Sequence, residues 1–488
     1  MRSTFEKFGL IGSGVFIGVL VSINFSVLAE MVSSPQLPID DLRVFAEVFG
    51  KVKSDYVEPV EDKKLINEAL TGMLSGLDPH STFMDADAYK DLQAGTQGEF
   101  GGLGIEVAME DGLVKVVTPI EDSPAYKAGL KTGDLIMKLD DTQVRGLTLN
   151  DAVKKMRGKP DTKILLTVLR KGEAKPLTFN LTRAVIKTQS VKNKYIEKDY
   201  AYVRITQFQE HTGEDLAKAL TALQTQNKGP FKGIVLDMRN NPGGLLDAAV
   251  GVSAAFLPKN DLVVYTEGRV TDSKMRLSAN PLDYARRGKG DYLKSVPEAY
   301  KKTPMVVLVN SGSASASEIV AGALQDHKRA TILGVQSFGK GSVQTILPMN
   351  NGSAIKLTTA RYFTPNGRSI QAKGIVPDII VEDGSDQSNN LHEADLAKHI
   401  SNPKEADANV PAVKDQAKED AAKAKLNEKK FAEPQGPIEP ASKDDFQFVQ
   451  AMNVLKGLPV QKMPEVKSAE AKPTEAKPSE VKPGEVKK

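Results

Sequence analysis

The chain has 488 residues, a formal net charge of +3, 40% hydrophobic residues and no cysteine. That length supports two or three domains with a sizeable core, and the near-balanced charge gives no global case for a nucleic-acid partner. The absence of cysteine excludes thiol catalysis, cysteine-bound metal, disulfides and an N-terminal lipid-modified cysteine; the five histidines offer no pair at zinc-site spacing, so neither a metal nor a cofactor is expected.

Residues 1–29 read as a targeting segment. Arg2 and Lys7 precede an apolar run from Phe8 to Leu28, and Val27-Leu28-Ala29 offers small residues for cleavage before Glu30. The alternative is an uncleaved anchor, because the run is almost long enough to span a membrane. Either reading places the working domains outside the cytoplasm, in the periplasm or cell envelope. Residues 30–95 read as helical. Leu42, Phe45, Val48, Phe49 and Val52 fall at i, i+3, i+4 spacing, and a second helix is predicted from Asp62 to Leu74, before the turn LDPHSTFM. His80 in that turn is read as structural, since no suitable acid or nucleophile lies near it in sequence.

Residues 96–184 form a separate unit. GGLGIEV at 101–107 is a glycine-rich loop running into a strand, and DSPAYKAGLKTGDLIMKLDD predicts a short helix, a turn at Gly133-Asp134 and a strand. A helix from Leu149 to Met156 and a strand from Thr162 to Arg170 complete it. The backbone N–H groups of Leu103, Gly104 and Ile105 can cradle a terminal carboxylate while a strand edge pairs with the peptide. Gly101, Gly102 and Gly104 permit the backbone angles such a cradle needs, or merely turn the chain. No helix opens where a dinucleotide loop would require one.

Residues 185–382 alternate strands and helices, which implies a layered α/β core. Predicted strands are Tyr200 to Ile205, Phe231 to Met238, Met305 to Val309 and Ala330 to Leu333. Predicted helices are Glu214 to Leu223, Leu245 to Phe256 and Ser315 to Leu324. The polar segment Arg269 to Tyr300 reads as a long loop over the site. Residues 383–440 read as a linker, 441–457 as a short amphipathic helix with Phe448, Met452 and Leu455 on one face, and 458–488 as a disordered Lys/Pro/Glu tail.

The chemistry concentrates in MVVLVNSGSASASEIVAGALQDHKRATILGVQSFGKGSVQ at 305–344. A strand, a small-residue turn and a helix leave a turn serine with its hydroxyl exposed near the positive helix end. Ser311, Ser313, Ser315 and Ser317 compete for that role. Lys340, between Gly339 and Gly341, is the candidate base. Its amine must be neutral to accept a proton, which burial without a carboxylate partner favours. Gln344 can orient the amine without adding charge. For the oxyanion, the N–H of Ala316 adjoins the nucleophile, and Gly243 or Gly244 in RNNPGG ends a neighbouring strand; Gly244 is slightly favoured. Asp326 is read as structural.

SGSASASE followed by SFGKGSVQ resembles the carboxy-terminal processing peptidases, also called tail-specific proteases, from about residue 40 to about residue 382. The SPA-x-x-AGL-x-x-GD pattern likewise resembles a PDZ domain. The resemblance implies a Ser–Lys dyad, selects Ser315 as the middle serine of SASAS, and implies a crotonase-like ββα core with an inserted PDZ domain and an N-terminal helical cap or dimerisation region. It further implies protein substrates with unstructured C-termini, self-assembly through the helical segments and an adaptor lipoprotein as partner. Alternatives are a Ser–His–Asp hydrolase using His327 or His211, a PDZ scaffold on a dead core, and acyl-CoA chemistry on a shared fold.

Overall fold

The computed structural model describes residues 37–120, 122–286, 290–382, 391–403 and 438–461. The targeting segment at 1–29, most of the linker and all but the first residues of the tail lie outside them. Among the described residues no helix is long and apolar enough to cross a membrane.

The chain divides after Thr71 into two units. In the first, the helix Ile39–Asp55 carries Asp40 and Asp41 in its first turn and Lys53 in its last, charges that complement the helix dipole. None of its residues is buried. Phe45 and Val48 of the apolar stripe are 46% and 56% exposed.

The second unit holds three apolar clusters, one in a part of its own and two on the opposite faces of one sheet. One belongs to residues 103–181, where Val114, Val116, Ile136, Leu166 and Val168 are buried. Their strands alternate inward and outward, as in Lys163–Leu169, the period-two pattern of a half-buried sheet. The sheet runs Ile105–Glu110, Leu113–Pro119, Leu135–Leu139, Lys163–Leu169, Leu177–Thr182, with Thr142–Gln143 beside the third strand. Glu99–Gly102 and Ala184–Lys187 pair antiparallel where the chain enters and leaves this part.

The larger core surrounds a six-stranded sheet in the order Val191–Glu197, Tyr200–Ile205, Gly233–Asp237, Met305–Val309, Thr331–Gly334, Ile379–Ile380. The first pair is antiparallel and the others parallel. Gly233–Asp237 and Met305–Val309 are buried at every position, which is why they read as unbroken apolar runs. The helices Thr212–Asn227, Leu246–Ala254 and Ala316–Asp326 contribute to the core on one face. On the other face Phe448, Ala451 and Met452 of the helix Phe446–Leu455 pack with Tyr202, Val306 and Leu308. A second sheet joins Thr82–Met84, Ala354–Phe363, Leu262–Gly268 and Arg276–Ser278, with Ser342–Pro348 also paired to Ala354–Phe363.

Two stretches differ from the sequence reading. Arg269 to Tyr300, read as one loop, contains the strand Arg276–Ser278, the short helix Pro281–Tyr284 and 3-10 turns; these elements are too short for periodicity to show. Within the stretch read as linker, residues 391–403 pack onto the core, with Glu393 fully buried and Asn402 nearly so. Composition misses this because polar side chains, not apolar ones, are being buried.

Candidate active site

Two parallel strands end side by side, and their following turns are sewn together. The Ser313 hydroxyl donates to the Met238 carbonyl at 2.8 Å, and the Ser317 hydroxyl donates to the Asn241 carbonyl at 2.9 Å. The Ala314 N–H also donates to Asn241 O, at 3.0 Å. Asn310 Oδ1 accepts from the N–H groups of Asn240 and Gly312. The serines on either side of Ser315 are thus buried and committed. Ser315 itself has φ 54° and ψ −112°, a left-handed-side conformation that costs a non-glycine residue about 1–3 kcal/mol. It stands at the N-terminus of the helix Ala316–Asp326.

Glu318, three residues on, holds this turn against the loop carrying Lys340. Its Oε2 accepts the N–H of Ser315 at 2.7 Å and the N–H of Lys340 at 2.9 Å. Its Oε1 accepts the Ser337 hydroxyl at 2.6 Å and the Gly339 N–H at 2.7 Å. One carboxylate oxygen therefore binds the backbones of both candidate residues. Burial pushes the Glu318 carboxyl up to about 7 against the lowering effect of its donors. Tyr362, fully enclosed, donates its hydroxyl to the Lys340 carbonyl and also meets the Ser315 side chain.

The Lys340 amine has no hydrogen-bond or ion-pair partner among the described residues. Burial pushes it down to about 8, helped by the neighbouring Lys356 cation and opposed by Glu393, Glu318 and Asp78. Gln344 lies on the strand that follows, Ser342–Pro348, and its amide donates to the hydroxyls of Ser342 at 3.0 Å and Thr358 at 3.3 Å.

Gly243 faces Ser315, and Gly244 follows it against Phe208. A Cβ on Gly243 would stand 2.8 Å from Ser315 Cβ and 2.9 Å from the Ala316 nitrogen. At Gly244, φ is 143° and a Cβ would meet the Phe208 carbonyl oxygen at 2.1 Å, so only glycine fits. The Gly243 N–H is consumed by Asn241 Oδ1 at 2.9 Å. Those of Gly244 and Ala316 have no partner among the described residues. They are available to an anion developing beside Ser315.

The histidines lie elsewhere. His327 caps the far end of the helix Ala316–Asp326, about 18 Å along its axis from Ser315, and its Nε2 lies 2.7 Å from the Leu262 carbonyl. His211 lies beside Glu214 at the start of the helix Thr212–Asn227. Asp326 accepts from the Asn366 N–H and pairs with Arg368. In the 103–181 region, Gly104 has φ 74°, its carbonyl accepts from Ile120 N and Ser123 Oγ, and the Leu103 and Gly104 N–H groups have no partner among the described residues. Gly102 ends the strand Glu99–Gly102, and Ile105 begins the next one.

The sequence reading missed Glu318, Tyr362, Arg239 and Glu393. Glu318 had a signal: Ser315-x-x-Glu318 is the capping-box spacing. Arg239 opens RNNPGG and is held between Asp237 and Asp445, with Nη2–Oδ2 distances of 2.7 and 2.6 Å. Nothing local marks Tyr362 or Glu393.

Comparison with known proteins gives three family matches: Peptidase family S41 over residues 199–381, PDZ domain over 101–181, and Activating protease CtpB N-terminal domain over 24–88. A carboxy-terminal-processing protease of Bartonella bacilliformis is 47% identical over 400 residues, covering 80% of this chain and 88% of the relative. The carboxy-terminal processing protease CtpB of Bacillus subtilis is 36% identical over 379 residues, covering 76% and 75%. Among solved structures, a photosystem II D1 C-terminal processing protease is 31% identical and matches 70% of this chain and 89% of that one with a TM-score of 0.40.

Proposed function

The chain belongs to the carboxy-terminal processing proteases of peptidase family S41, and from that premise we propose that Ser315 and Lys340 are its nucleophile and general base. The observation that carries this reading is the shared Glu318 Oε2, which binds the backbone N–H of both residues, next to a buried amine without a counter-charge bonded to it. The neutral amine takes the Ser315 proton as the hydroxyl attacks the scissile carbonyl, then returns a proton to the leaving amine. The N–H groups of Gly244 and Ala316 stabilise the oxyanion, with Gly243 shaping the wall. Gln344 supports the strand leading from the base.

The PDZ domain supplies selection. The free N–H groups at Leu103 and Gly104, between Gly102 and Ile105, receive a substrate's terminal carboxylate, and an unstructured tail extends the sheet edge. The exposed apolar face of the helix Ile39–Asp55 supports self-association; an adaptor lipoprotein and an exported location, in the periplasm or cell envelope, follow as proposals from the resemblance and the N-terminal apolar run. The test is cleavage of a protein with an appended unstructured tail. Ser315→Ala and Lys340→Ala should each abolish it with unchanged circular dichroism. Full activity in Lys340→Ala refutes the dyad. Deleting residues 98–184 should abolish dependence on the tail, and unchanged selectivity refutes the PDZ assignment.

A further inference from the structure

The loop that carries Lys340 is gripped from a side the dyad does not explain. Residues 391–403 run against it as a strap. The Glu393 N–H donates to the Phe338 carbonyl at 3.0 Å, and His392 Nδ1 lies 3.2 Å from the Ser337 carbonyl. The Glu393 carboxylate, 0% exposed, turns inward. It meets His80 Nε2 at 2.8 and 3.0 Å through its two oxygens and accepts the Gln371 amide at 2.9 Å. Gln371 Oε1 in turn accepts the Gly341 N–H, also at 2.9 Å, while the Gln371 carbonyl takes the Asn402 amide at 2.8 Å. A chain of contacts therefore runs from the turn at His80, through a buried acid, to the residue after the base.

A fully buried carboxylate is costly unless paired. Here it has a histidine and an amide, and burial is outweighed by their hydrogen bonds, which hold Glu393 below the usual carboxylate range. Nothing in the peptide-cutting steps uses this acid. Its neighbours explain its position. The charges around the Lys340 amine are Lys356 on Ala354–Phe363, Asp78 before Thr82–Met84, Glu318 on Ala316–Asp326, and Glu393 on the strap, with the Tyr362 phenol beside them.

We infer that Glu393 is a positioning residue for Lys340: with His80 and Gln371 it fixes the loop Ser337–Gly341 and places one negative charge beside the amine. This inference rests on the dyad reading above. Glu393 thus works in two ways. Through Gln371 it restrains the backbone after the base. Through space it opposes Lys356, so the pair brackets the pH at which the amine loses its proton.

The experiment is the pH–rate profile of kcat on the tailed substrate for full-length Glu393→Gln and Lys356→Met, with folding followed by thermal melting. Removing the acid should move the acid limb to lower pH by on the order of one unit, and removing the cation should move it upward by a similar amount. KM should change less than threefold in both, because neither touches the peptide. A structural lesion alone would lower kcat without moving the limb. Limbs unmoved in both variants, or moved in the same direction, overturn the inference. If Glu393→Gln does not fold, Gln371→Ala, which cuts the contact to Gly341 and leaves the acid, should lower kcat at unchanged KM; unchanged kcat overturns it. Failure of the dyad itself is separate: it appears as activity in Lys340→Ala.

Discussion

Asp445 joins the C-terminal helix to the loop behind the proposed oxyanion site, and its removal is a demanding test of that connection. The carboxylate takes Arg239 Nη1 at 2.8 Å and Nη2 at 2.6 Å. It also accepts the N–H groups of Phe448 at 3.1 Å and Ala441 at 3.0 Å, capping the helix Phe446–Leu455. Arg239 and Asp445 are 12% and 5% exposed. In Asp445→Ala, Arg239 keeps Asp237, but Asp237 already serves Arg204 and the Tyr202 hydroxyl. Two guanidinium groups then share one buried carboxylate. Breaking a buried pair outright costs about 3–5 kcal/mol, and the retained Asp237 contact reduces that to about 2–3. Losing the cap adds about 1 kcal/mol. The expected total is about 3–4 kcal/mol, with about 1–2 for Asp445→Asn, which keeps an oxygen for the cap. Urea unfolding in a Ser315→Ala background, which prevents self-cleavage, measures it. A loss below about 0.5 kcal/mol for the alanine variant would refute the claim that this pair holds the helix in place.

Glu318→Ala should be among the most damaging single changes, because it orphans four donors on two loops; a loss of at least about 3 kcal/mol is expected by urea unfolding. With Lys340 pushed down to about 8, the proposed role as base requires its neutral form, so kcat should rise with pH and level off above that value, falling about tenfold per unit below it; a plateau extending below pH 6 would exclude Lys340 as base. Gly244→Ala should abolish cleavage, since its Cβ would lie 2.1 Å from a backbone oxygen; activity within about twofold of the parent would show that this wall is not next to the chemistry. The acidic side has its own signature. Asp445 is held below the usual carboxylate range, with burial opposing and Arg239 prevailing, so its stabilisation is present above about pH 4 and lost as acid protonates it. Acid unfolding of Asp445→Asn should therefore be shallower than that of the parent.

The sequence made the site's centre readable because its chemistry is local. A strand, a small-residue turn and a helix are consecutive, and their spacing marks the turn; among its four competing serines only the resemblance pointed to Ser315. The strand-to-helix turn at Gly243 and Gly244 was visible for the same reason, whereas the use of the Gly243 N–H by Asn241, which underlies the proposed preference for Gly244, was not. What stayed hidden was assembled from afar. Tyr362, Glu393 and Asp445 act on residues 22 to 313 positions away, and no periodicity encodes such pairings. Glu393 was further obscured by composition: a polar stretch looks like linker until its partners are seen. Gln344 shows the opposite limit. Its chemistry allowed a bond to the amine, whereas its amide is directed to Ser342 and Thr358.

The strap and the C-terminal helix also bear on the order of events during synthesis. Both Glu393 and Asp445 emerge from the ribosome after the entire strand-and-helix core has been made. Until they do, the loop bearing residue 340 lacks its lateral brace and Arg239 lacks half of its counter-charge. A growing chain would thus carry its proposed nucleophile long before the machinery around it is tensioned, and a translation product truncated before residue 391 should be a poor protease.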